Sequence, residues 1–115
     1  MKNDKTVLIL GQVYSISFIF ENEDKMLKTC DGYTDKTTHR IVVAEKRDDC
    51  NLGNYKVYQK KVLRHEIIHA FLFEAGLHGE GDWTAKESEH PEQMVDWIAV
   101  MFPKMLKVFQ AVNAL

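Results

Sequence analysis

The stretch from Asn54 to Gly76 constrains this chain more than any other. Asparagine is a residue type that caps helix N-termini, its side-chain oxygen accepting from the first free amides. Glycine just past the last turn is the usual C-terminal stop. Between the two, Tyr55 to Ala75 predicts one long helix. Lys56, Lys60, Lys61 and Arg64 keep its first turns solvated. Val62, Leu63, Ile67, Ile68, Ala70, Phe71, Leu72, Phe73 and Ala75 make the helix apolar on several sides. A helix apolar nearly all round is expected to be buried. Burying His65, Glu66 and His69 within it, without partners, would be costly.

Those three residues form an H-E-x-x-H sequence, His65-Glu66-Ile67-Ile68-His69. Residues four apart on a helix lie one above the other, so two imidazoles can aim at one point. Neutral imidazole suits zinc, and a tetrahedral ion leaves room for further ligands. Glu66 is turned from the histidine face by one helical step, near 100°, where it can serve as general base for a water. A catalytic zinc usually takes three protein ligands. The extended form of the motif would need glycine at 72 and histidine at 75, and the chain has Leu72 and Ala75. The remaining candidates are His78, Glu89, His90, Glu92 and Asp96. Glu92 is the preferred third ligand and His90 the alternative. Asp96, one helical turn after Glu92, is placed to accept the second ring N–H of His65, as carboxylates behind zinc-bound histidines do.

Before the helix, Thr6–Leu10 and Tyr14–Phe20 read as an antiparallel hairpin around Gly11-Gln12. Tyr14, Ile16, Phe18 and Phe20 alternate with Ser15 and Ser17, the pattern of a half-buried strand. A charged turn follows at Glu21–Lys25, then a weaker strand within Lys28–Tyr33, a turn at Thr34–Thr38, and a strand at His39–Ala44. After a long loop from Leu77, a second helix is expected from Pro91 to about Phe102, with Pro103 kinking or restarting it. Met94, Ile98, Met101, Met105, Val108 and Val112 form one apolar row, and Val95, Ala99, Phe102, Leu106 and Phe109 the row beside it.

Composition narrows the function classes. The chain has 115 residues, 45% of them hydrophobic, and a net charge of -2. That is one domain with an ordinary core. No basic patch invites nucleic acid, and Val7–Leu10 is too short for a leader or a membrane span. A cytoplasmic protein without a membrane partner is expected. Cys30 and Cys50 are then expected to be two free thiols, with a disulfide or a second metal site as the alternative.

His65-Glu66-x-x-His69 followed by Glu92-x-x-x-Asp96 resembles the gluzincin metallopeptidases, whose second motif is N-E-x-x-x-D; Pro91 stands here where that motif has asparagine. "HEIIHAFLFEAGL" with "EQMVDWIA", behind a sheet, is more closely similar to the small phage- and prophage-encoded minimal zincins. The resemblance implies an α+β fold: a small zincin-like domain with an antiparallel or mixed N-terminal sheet packed on the metal helix and a C-terminal helix. It implies one zinc per chain and hydrolysis of peptide bonds in a peptide or protein substrate. The strand before the metal helix binds substrate backbone in the zincins that the chain resembles. Ile41, Val42 and Val43 are therefore expected along an exposed edge, where a peptide docks by adding a strand. His78, His90 and Tyr33 are candidates for stabilising an oxyanion. The competing reading is a zinc-containing module with the same fold that binds a protein without cleaving it. A closed structural zinc site is disfavoured, since such sites usually have four ligands rich in cysteine.

Overall fold

The computed structural model describes residues 4–77 and 92–115; the side chains at 92, 93, 95, 96 and 99 lie outside that description. Strands β1 (Lys5–Ile9) and β2 (Gln12–Ile19) form the expected hairpin. Its two-residue turn, Leu10 and Gly11, has φ of 51° and 90°, the twist that a tight antiparallel hairpin needs. Two 3₁₀ turns, Glu21–Glu23 and Lys25–Lys28, replace the single charged turn. Strand β3 (Gly32–Asp35) begins later than the sequence suggests, and β4 (Arg40–Ala44) follows through a turn in which His39 has φ of 56°. The sheet order is β1-β2-β4-β3, with β2 and β4 parallel and the other pairs antiparallel. Among the described residues, the domain is α+β with a mixed four-stranded sheet and two α-helices.

One expectation is overturned here. The β4 strand is not an edge: it is paired to β2 on one side and β3 on the other. Ile41, Val42 and Val43 are fully buried and offer nothing to a docking peptide. The physical reason was present in the sequence, because an unbroken apolar run marks a strand covered on both faces. Ile41 and Val43 face the larger core, while Val42 and Ala44 face a smaller one with Ile19 and Leu27. The same two-sided cover explains why β2 departs from simple alternation: Ile16, Ser17 and Ile19 are all buried, whereas Phe20 is exposed.

Helix α1 (Tyr55–Glu74) starts at Asn54, whose side chain accepts from the Val57 amide at 3.3 Å. It stops in a Schellman-type turn, the Gly76 amide donating to Phe73 O at 3.1 Å and the Leu77 amide to Leu72 O at 2.9 Å. Its buried face is Gln59, Val62, Leu63, Glu66, Ile67, Ala70 and Phe71, a single stripe at helical spacing. The helix is therefore not covered all round, contrary to the reading of its apolar flanks: His65, Ile68 and His69 are exposed. Helix α2 runs unbroken from Glu92 to Ala111 through Pro103. Proline removes one helix hydrogen bond, but Met105, Val108 and Phe109 beyond it bury on the shared core, which keeps the helix in one piece.

Candidate metal centre

The motif lies in the middle of α1. The rings of His65 and His69 sit edge to face, with centroids 4.8 Å apart. Phe73, one turn further, stacks on His69 at 6.1 Å, and Lys36 from the β3–β4 turn lies over Phe73 at 5.3 Å. The two imidazoles thus share one open helix face, as spacing alone predicts. Glu66 points elsewhere. It is 7% exposed, and Thr34 on β3 reaches it, with Thr34 Oγ1 2.8 Å from Glu66 Oε1 and 3.0 Å from the Glu66 carbonyl oxygen. A buried carboxylate needs such a donor. The sequence pattern places Thr34 in a turn, whereas it lies in β3, and no local signal marks it as a partner of Glu66.

The strand that carries Thr34 lies close to the helix because of Gly32. A Cβ there would meet Val62 Cγ1 at 2.9 Å and the Val42 carbonyl oxygen at 3.0 Å. Alongside this contact is a recess of about 250 Å³, whose walls include Gly32, Tyr58, Lys61, His65 and Glu66.

The start of β3 is pinned by Arg47. Its guanidinium donates to Asp31 at 2.6 Å, to the carbonyls of Leu27 and Cys30 at 2.6 and 2.9 Å, and to Glu21 at 3.1 Å. Tyr58 of α1 donates its hydroxyl to Asp31 from the other side. The Tyr58 hydroxyl first, and the Arg47 guanidinium after it, hold the Asp31 carboxyl below its ordinary pKa against the opposing effect of burial. Two further bonds, Tyr55 Oη to Ala44 O at 2.5 Å and Gln59 Nε2 to Ala44 O at 3.0 Å, tie α1 to the end of β4. None of these partners forms a local sequence pattern.

Tyr33 does not serve the centre as expected. It alternates away from Gly32 and Thr34, packs on the smaller core, and donates to Asp24 at 2.5 Å. Burial first, then Asp24, push its hydroxyl up to about 12.

Two imidazoles on one open face have the donor chemistry that zinc takes. Among the described residues, no group of three or more His, Cys, Asp or Glu side chains converges. His78, Glu89 and His90 lie outside the described residues. Glu92 and Asp96 open α2 at its first residue and one turn later, with their side chains outside the description. Cys30 and Cys50 are free thiols. No described helix is long and apolar enough to cross a membrane. Comparison with known proteins returns no matching family, no matching curated protein and no matching solved structure.

Proposed function

We propose that this protein is a minimal zincin-like zinc metallopeptidase. The observation that carries the reading is the division of labour along one turn and a half of α1. His65 and His69 share an open face, and Glu66 is turned from it, ordered by a hydrogen bond and lining the same recess as His65. His65, His69 and Glu92 would hold the ion, and Asp96 would orient His65 by accepting its second ring N–H. A zinc ion bound there supplies a Lewis acid that acidifies water and polarises a carbonyl. Glu66 takes the proton from the attacking water and delivers it to the leaving nitrogen.

The docking role expected of β4 passes to β3. It is the outer strand on the α1 side of the sheet, next to the recess. A peptide adding to the edge of β3 that is unpaired among the described residues would lie along the motif, held by main-chain hydrogen bonds with little side-chain selection.

The test is cleavage of an unbiased peptide library by the zinc-loaded protein, read by mass spectrometry. Glu66→Gln keeps size and hydrogen bonding but cannot accept the proton. It should retain zinc and melting temperature while turnover falls on the order of 10²–10⁴-fold, the usual contribution of general-base catalysis. Zinc-loaded wild type that cleaves nothing would remove the peptidase reading and leave the protein-binding module in its place.

A further inference from the structure

We propose that Thr34 is the positioning residue for Glu66, and that Gly32 and Thr34 together form a two-point seat on β3 against which α1 sets its general base. The inference rests on the hydrolase reading above and extends it to how the base is held.

The seat follows from matched spacings. Gly32 and Thr34 are two apart on a strand, so they share a face about 7 Å apart. Val62 and Glu66 are four apart on a helix, so they share a face about 6 Å apart. The two pairs meet in register. Gly32 gives Val62 the space that any Cβ would close at 2.9 Å, and Thr34 then stands 2.8 Å from Glu66 Oε1. The Cγ of Glu66 would be 3.5 Å from a Cβ at Gly32, an ordinary van der Waals contact, so the glycine acts on the helix approach through Val62 and leaves the setting of the glutamate chain to Thr34.

The hydroxyl of Thr34 has a single proton and two acceptors within reach, the Glu66 carboxylate oxygen and the Glu66 carbonyl oxygen. A carboxylate is in general a stronger acceptor than a backbone carbonyl, and the carboxylate contact is the shorter of the two. That bond engages Oε1 and leaves proton transfer to Oε2. A glutamate otherwise has three side-chain torsions to order before it can act. A base held in one rotamer avoids that disorder, and misplacement by about 1 Å can cost on the order of 10²-fold in rate. β3 is also the strand whose edge would take the peptide, so one short strand fixes both the base and the substrate.

The variants are Thr34→Val, which keeps the shape and removes the donor, and Thr34→Ser, which keeps the donor. In the zinc-loaded protein, Thr34→Val should lower kcat by about 10- to 100-fold with KM and zinc content unchanged. Thr34→Ser should recover most of the loss, and Thr34→Val should add little to Glu66→Gln, because the two act as one unit. Equal losses in Thr34→Val and Thr34→Ser, or a loss confined to KM, would overturn the assignment. A second measurement needs no activity. Crystal structures should show the Glu66 carboxylate in one rotamer in wild type and Thr34→Ser, and displaced in Thr34→Val. If wild type cleaves no peptide, the hydrolase reading fails on its own, while a Glu66 that keeps its rotamer in Thr34→Val sinks the positioning role whatever the activity.

Discussion

Helices α1 and α2 are both 20 residues long, yet they bury different things. α1 sends Gln59 and Glu66 inward among five apolar residues, and each meets a specific partner on the sheet, Ala44 or Thr34. The buried residues described on α2 are Met105, Val108 and Phe109, all apolar. Apolar burial is non-directional and tolerates small shifts, whereas a buried polar group demands a partner at a set distance and angle. The difference assigns the helices different work. α1 is oriented by hydrogen bonds to β3 and β4, which is what a site needs. The far half of α2 contributes area.

The largest effect expected from breaking this contrast is on metal content. The purified protein should carry about one zinc per chain, measured by elemental analysis. His65→Ala and His69→Ala should abolish it without unfolding the protein, because both side chains are exposed. Glu92→Ala should abolish it too, which would give the opening turn of α2 a share in the site. Full occupancy in Glu92→Ala with loss in His90→Ala would move the third ligand to His90.

These residues also mark how far the sequence could be read. Asn54 and Gly76 bounded α1 because capping is a local code, decided within four residues. The His65 and His69 pairing was equally local. The place of β4 before the helix suggests an edge, but the run Ile41-Val42-Val43 is the stronger signal and marks a central strand. The hairpin was clear, but the parallel pairing of β2 with β4, which skips β3, is long-range and left no periodic trace. Thr34 was out of reach for the same reason: its bond to Glu66 spans 32 residues, and one threonine in a strand carries no signature. Gly32 does carry a local signal, since a glycine inside a strand marks close backbone approach.

The next effect is on stability and should leave the metal alone. Phe109 is 7% exposed in the core shared by the sheet and both helices. Phe109→Ala should destabilise the fold by about 3–5 kcal/mol, the usual cost of removing a buried aromatic ring, read from urea unfolding. The folded fraction should bind zinc as tightly as wild type. Loss of affinity matching that of His65→Ala would show that the packing of α2 and the metal site are one unit, and the contrast between the helices would dissolve.

The smallest effect concerns the polar anchor of α1 rather than its centre. Asp31 accepts from Tyr58 and Arg47, and its carboxyl pKa is lowered in the folded state by Tyr58 first and Arg47 after it. A lowered folded pKa means that the unfolded chain binds the proton more readily, so this group adds stability above its ordinary value, about 4, and loses it as pH falls through the folded value. Melting temperatures between neutral pH and pH 2 should therefore drop less steeply in Asp31→Asn than in wild type, with the curves converging at the acid end. Tyr58→Phe, which removes the leading cause of the shift while keeping the ring, should flatten the acid limb by part of that amount. The side chain is 37% exposed, so solvent screens the pair and the change should be modest. An acid limb equally steep in Asp31→Asn would mean that other carboxylates set the acid response, and that the Asp31, Arg47 and Tyr58 contact holds the start of β3 by geometry alone.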